Sequence, residues 1–276
     1  MSERIYTASS TLRRPRLFLR DVRNDLRVVS HIGWQLFRRN LRGQMRRSFL
    51  GYLWILLPPI MNGLVWIYLG KVRILNVEGL PVPYPVFVLT GLFLWQGFVE
   101  AFNCPLQQLQ GARNTIAKVR IPHEAFVVSG FAGVLLNMAI RLVILAGILI
   151  WFGIPFHTTL LVAPIGLASL LLLGFALGWL VAPMGMLYSD VSNAIGMMMG
   201  LWFLVTPIVY TPPASVAHLI AMNPVTPLLT TTRDWILLGH LTPAPGFGLT
   251  VLVSILILGI GWVAYRLAQP HLIVRM

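Results

Sequence analysis

Apolar residues fall in blocks of roughly 20, the length of a helix that crosses a hydrocarbon core. The blocks are separated by short polar or proline-rich stretches. Six of them read as spans, at about 49–69, 84–104, 125–151, 160–186, 191–210 and 247–267. The first contains no charged residue, the second carries Glu100 near its end, and the third includes Arg141. From Leu142 to Ser189 there is no Asp, Glu, Lys or Arg. That stretch holds the end of one span, a turn and a second span, with Phe152-Gly153-Ile154-Pro155 supplying the turn chemistry. An outer-membrane barrel would show alternating segments of ~10 residues, and none is visible. The pattern predicts an all-α integral membrane protein with six transmembrane helices.

Two regions depart from a plain bundle. In 29–47, Trp34, Phe37, Leu41 and Met45 recur at spacings of three and four, with Arg39, Arg42 and Arg46 along an adjoining face. This is an amphipathic helix suited to the membrane interface, either a topology anchor or a functional element. Residues 1–28 form an extension before it, and 48–270 and 271–276 are the transmembrane domain and the C-terminus. The second region is the loop from Thr211 to Pro245, with apolar stretches Ser215 to Met222 and Val225 to Leu229 broken by Pro212-Pro213, Asn223-Pro224 and Pro227. Each piece is too short to span. Such pieces suggest re-entrant or interfacial helices before the last span, buried in protein or lining a wet cavity, or a simple cap on the bundle.

Composition agrees with this pattern: 57% of the 276 residues are hydrophobic and 11% charged, with a mean hydropathy of +0.78. The net charge of +13 raises nucleic acid as a partner, but 12 of the 21 Lys and Arg residues precede Phe49. Basic clusters beside a membrane segment meet anionic lipid or fix topology, and no nucleic-acid recognition motif accompanies them. Membrane lipid is the expected partner, with no nucleic acid. With the N-terminus inside, the cytoplasmic side holds 17 basic residues against three on the other side, so both termini are expected in the cytoplasm of a multi-pass protein of the bacterial inner membrane. A lone Cys104 excludes a disulfide framework within the chain. The first ten residues show no cleavable signal peptide.

The chain carries no G-x-x-x-x-G-K-[ST] phosphate loop, and its six His residues lack metal-ligand spacing, so neither a bound cofactor nor a metal site is expected. Glu100 is the one candidate intramembrane carboxylate. Ion-driven transporters need buried ionisable relays or coordinated ion sites, so the driving energy is expected from another subunit. Arg141 is a functional suspect because a charge inside a membrane is costly. Counting from the predicted span ends puts Glu100 near the inner face and Arg141 toward the outer half. No direct ion pair is expected, and Arg141 would face an aqueous channel or snorkel outward. The motifs Gly174-x-x-x-Gly178 and Gly196-x-x-x-Gly200 permit close helix approach.

Five segments carry a resemblance. Arg47-Ser48-Phe49-Leu50-Gly51-Tyr52-Leu53-Trp54 followed by Pro58-Pro59 resembles the entry to the first span of ABC-2 type permeases. These are the channel subunits of exporters for O-antigen, teichoic acid and capsule polysaccharides. Ile116 to Glu124 is similar to the family's loop between spans two and three, with Ile121 and His123 where it usually has Phe and Arg. Leu187-Tyr188-Ser189-Asp190-Val191 resembles its Tyr-Arg-Asp turn, with Ser189 for the Arg. Thr206-Pro207-Ile208-Val209-Tyr210, and Asn223-Pro224 through Arg233-Asp234, match its outer loop. The resemblance runs from about Leu36 to the C-terminus.

It implies a homodimer whose halves form a polysaccharide channel, with a separate dimeric ABC ATPase that binds ATP and Mg. Arg113, Lys118, Arg120, Pro122, His123, Glu124 and Asp190 would receive the ATPase stroke, although an ordinary solvated loop, and a cap on span five at Asp190, are the plainer readings. The amphipathic helix would line the entry gate. Its Trp34, Arg38, Arg39, Arg42, Arg46 and Arg47 would meet the pyrophosphate of an undecaprenyl-type lipid-linked glycan, since guanidinium matches phosphate oxygens in pairs, or bulk anionic lipid. Trp54, Trp95, Arg141, Trp202 and Tyr210 are channel candidates, against the alternative of an interfacial aromatic belt. Two other functions stand beside this one: an ABC-2 permease for a drug or small lipid, and an integral-membrane enzyme acting on lipid-linked sugars. The enzyme would need a paired acid or base, and Asp190, Glu124 and Asp234 are the nearby carboxylates.

Overall fold

The computed structural model describes residues 15–46, 53–71, 80–116, 121–188, 190–212, 215 and 217–274, with the side chains of 15–27, 44–46, 55 and 270–274 not described. Among these residues the regular elements are all helical: α1 (Pro15–Arg46), α2 (Leu53–Lys71), α3 (Tyr84–Ile116), α4 (His123–Trp151), a 3-10 turn (Thr158–Leu161), α5 (Ala163–Leu187), α6 (Asp190–Val205), α7 (Ala217–Ala221), α8 (Val225–Leu237) and α9 (Phe247–Val274). Four helices, α3, α4, α5 and α9, are long and apolar enough to cross a membrane. The 19 residues of α2 contain Pro58 and Pro59, and α6 is a shorter apolar helix of 16 residues.

Helices α3 and α5 form the centre. Their backbones come together at Gly174 and Gly178, where a methyl group would run into the carbonyl oxygens of Phe98 and Phe102. The first of the two glycine motifs is thus a packing seam, whereas Gly196 and Gly200 on α6 face open space. Around the seam lies the main core, with Leu92, Trp95, Phe98, Leu170 and Leu173 from the helices and Ile208, Val225 and Leu228 from the segment after α6. On the other faces α4 packs on α3, α9 on α5, and α1 on α4.

The turn before α5 forms as its composition predicts. Gly153 takes φ 67, its N–H donates to the Ile150 oxygen, and the Ile154 N–H reaches back to the Leu149 oxygen. This pair of bonds satisfies carbonyls that the end of a helix leaves free, and the positive φ is why glycine sits there.

Several boundaries differ from the sequence expectations, among them the end of α9, which runs to Val274 rather than stopping near 267. The amphipathic helix starts at Pro15 rather than near residue 29, with proline at a first-turn position where its missing N–H costs nothing. Helix α3 does not stop at Cys104 but continues to Ile116 through a glutamine-rich stretch, because glutamine is nearly as good a helix former as leucine. Helix α6 ends at Val205, five residues before the predicted limit, because Pro207 has no N–H to offer the Phe203 carbonyl, and the Thr206 N–H, the last of the ladder, is shared between the Trp202 and Phe203 carbonyls.

Candidate functional site

Polar side chains inside so apolar a bundle are few, and the structure gathers them at three levels. At mid-helix, Arg141 of α4 is 2% exposed and forms an ion pair with Glu100 of α3. Asn137, one turn before Arg141, donates through Nδ2 to the second Glu100 oxygen at 3.1 Å. This overturns the expectation that the two charges lie at different depths. Counted from Ile116 and from His123, each residue is roughly 25 Å along its helix at 1.5 Å per residue. The error came from ending the span at Cys104. Arg141 is therefore enclosed and neutralised by α3, with Nε and Nη1 buried and unpartnered among the described groups.

At one end of the bundle, a non-helical segment of residues 206–210 is held by side chains from α3, from α8 and from the turn between α7 and α8. Asn223 is the hub: its Oδ1 accepts from Trp202 Nε1 at 2.9 Å and from the Val225 N–H at 3.1 Å. Its Nδ2 donates to Thr206 Oγ1 at 2.9 Å. Arg233 of α8 donates through Nη1 to the carbonyls of Pro207 (3.0 Å) and Ile208 (3.4 Å). Its guanidinium lies 3.9 Å from the Phe87 ring centre on α3. Burial pushes Arg233 down to about 10, and the neighbouring Asp234 works against that shift, so the group stays cationic at neutral pH. Tyr84 donates to the Val209 carbonyl at 3.0 Å. Buried backbone outside a helix needs other partners for its polar groups, and these bonds supply them for the carbonyls of Pro207, Ile208 and Val209. The reason Thr206-Pro207 and Asn223-Pro224 occur together is that one anchors the other.

At the opposite end, Pro122 caps α4. His123, buried, shares a 2.8 Å hydrogen bond with Tyr265 of α9, and Glu124 pairs with Arg266 at 3.0 Å. Two successive residues of the segment assigned to coupling are thus tied to the last helix. Arg113 closes α3 and Asp190 opens α6 at an exposed position, while Lys118 and Arg120 lie outside the described residues. On α1, Val29 and Leu36 pack on Ala112, Ala125 and Phe126, leaving Trp34, Arg38, Arg39 and Arg42 exposed. Arg38 stacks on the Trp34 ring at 5.3 Å. Arg46 ends the helix with its side chain undescribed, and Arg47 lies outside the described residues.

The aromatic channel candidates divide. Trp54 is exposed on α2. Trp95 is buried in a ring cluster with Phe98 (5.2 Å) and Phe203 (5.9 Å), and Phe98 meets Trp202 edge-on at 5.5 Å. Tyr210 donates to the Leu204 carbonyl. Residue-by-residue reading missed Asn137, Asn223, Arg233 and Tyr265 as site residues. Asn137 stands four positions before Arg141, and Asn223 and Arg233 fall in the stretch that matches the family's outer loop.

A bundle of apolar helices with paired charges and a side-chain-stapled irregular segment defines a multi-pass helical membrane protein. The chain is 26% identical over 203 residues, 71% of its length and 76% of the relative's, to the O-antigen export system permease protein RfbA of Myxococcus xanthus. Two proteins of the same name from Klebsiella pneumoniae are 23% and 22% identical over 222 residues, 79% of this chain and 82% of theirs. No family model matches the chain. The resemblance to ABC-2 type polysaccharide-export permeases thus stands on these relatives as well as on its motifs.

Proposed function

We propose that this chain is the transmembrane channel subunit of an ATP-driven exporter that moves lipid-linked polysaccharide across the bacterial inner membrane. The observation that carries the reading is its similarity, across 79% of its length, to O-antigen export permeases. In this reading α2 to α6 and α9 are the six spans, with both termini in the cytoplasm and the segment after Val205 completing the fifth crossing. Helices α7 and α8 form a re-entrant outer cap, which the burial of most of α8 supports. Two copies enclose the passage, and a dimeric ABC ATPase carrying ATP and Mg works from below on the Arg113–Glu124 segment and Asp190. The tie from His123 and Glu124 to Tyr265 and Arg266 gives a stroke there a route into α9. Trp34, Arg38, Arg39 and Arg42 on the free face of α1 suit a lipid pyrophosphate at the interface.

An enzyme acting on lipid-linked sugars fits less well. Of its candidate carboxylates, Glu124 is occupied by Arg266, and Asp190 stands exposed at the start of α6. The test is purification of the full chain from its own membranes. The reading expects no ATP hydrolysis by the chain alone, and hydrolysis in an equimolar complex with a phosphate-loop ATPase. Turnover of a lipid-linked sugar by the chain alone, with no ATPase attached, would overturn it.

A further inference from the structure

Polar residues recur along one line of α3. Gln96, Glu100, Asn103, Gln107, Gln110 and Asn114 follow one another at spacings of four, three, four, three and four, the repeat of a single helix face. The first three are partly exposed and the last three exposed. The other side of the same turns is buried, with Phe98, Phe102, Leu106 and Leu109 in the core. Gln96, Glu100 and Asn103 fall in the apolar part of α3 that is long enough to cross a membrane. Asn103 Nδ2 donates to the Val99 carbonyl, but the remaining amide groups, if they faced acyl chains, would lose their hydrogen bonds to water without replacement. This face therefore needs a wet surrounding.

The line has a beginning and an end. Gln110 Nε2 donates to the Gly185 carbonyl and to Ser192 Oγ, which places that end at the turn between α5 and α6. Glu100 is held by Asn137 and Arg141. Beyond Gln96, toward Tyr84, α3 is almost wholly buried, and the ring cluster of Trp95, Phe98, Trp202 and Phe203 stands at that point.

We propose that this face of α3 lines a water-filled passage for the glycan part of the cargo, open on the ATPase side and ending near Gln96, beyond which α3 is buried. The proposal rests on the export reading above and adds the groups that touch the sugar. Gln and Asn amides offer both donors and acceptors, so they match sugar hydroxyls in either sense. Being neutral, they hold no fixed charge that would arrest the chain. A ladder of such groups along one helix lets each hydroxyl pass from one amide to the next.

The test uses the full chain with its partner ATPase in membranes. Cys104 is the single cysteine, so Cys104→Ala gives a thiol-free background. Into it go Gln96→Cys, Asn103→Cys and, as a lipid-facing control, Leu135→Cys on the exposed side of α4. A charged methanethiosulfonate reagent is expected to label the first two and to spare the third. Separately, Gln96→Leu and Asn103→Leu are compared with wild type for surface glycan at equal protein level. A lipid-facing position accepts leucine without loss, whereas a passage position loses most of its export. Labelling no greater than at Leu135→Cys, or wild-type export by both leucine variants, each overturns the proposal. Surface glycan that persists without the chain would sink the export reading instead, and the labelling result would still decide whether the passage is wet.

Discussion

Arg141 on α4, buried, and Glu100 on α3, partly exposed, form an ion pair midway along both helices, with Asn137 completing the carboxylate's hydrogen bonding. A charge stripped of its partner in such a place is worse than no charge. Removing one member of a buried pair costs about 3–5 kcal/mol, while replacing both by apolar groups is often nearly neutral. Arg141→Leu and Glu100→Leu should therefore each lower the thermal stability of the detergent-solubilised protein, and the double variant should recover much of the loss. Additive losses would contradict a direct pair.

Asn223 uses both ends of its amide, accepting from Trp202 and Val225 and donating to Thr206. Thr206 Oγ1 already spends its proton on the Trp202 carbonyl. Asn223→Asp, although the same shape, would set a carboxylate oxygen against an oxygen with no hydrogen to offer. It should cost as much as Asn223→Ala, about 1–3 kcal/mol for a buried group left unsatisfied. Thermal unfolding of the two variants side by side checks this, and an Asp variant as stable as wild type would refute the assigned amide orientation.

Arg233 joins two carbonyls to the face of Phe87. Lysine keeps the charge but lacks the planar fork and the stacking surface. Arg233→Lys is expected to loosen the 206–210 segment, read as faster protease cleavage near residue 211, with a stability loss of about 2 kcal/mol for weakened charged hydrogen bonds. Unchanged cleavage would mean the segment is held without Arg233.

The glycines give a contrast within one chain. Gly178→Ala puts a methyl into the Phe102 carbonyl, whereas Gly200→Ala meets nothing within 4 Å. The first should reduce the yield of folded protein sharply, since backbone cannot yield as a side chain can, with a cost of at least ~1–3 kcal/mol for overpacking. The second should raise the stability of the single chain slightly, by about 0.4–1 kcal/mol, since alanine is the better helix former. If Gly200→Ala nevertheless impairs export, its open face packs on a second copy.

What could be read from the chain depended on the range of the interaction. The Phe152-Gly153-Ile154-Pro155 turn was legible because its bonds run between residues a few positions apart. The amphipathic helix was legible from its period, though Pro15, a first-turn signal, was passed over. The depth of Glu100 is not legible from polarity, because α3 carries Gln107, Gln108 and Gln110 past Cys104 in unbroken helical geometry. The Asn223 and Arg233 staples join residues 17 to 26 positions apart through a chain reversal, and no local pattern announces them. Composition marked the loop from Thr211 to Pro245 as unusual without showing which of its side chains hold it together.

The most direct test of the export reading is depletion of this protein in its own cells, followed by tracking lipid-linked glycan on each side of the inner membrane. The account predicts that finished polymer accumulates in the cytoplasm and disappears from the surface. Normal surface glycan after depletion would contradict polysaccharide as the cargo.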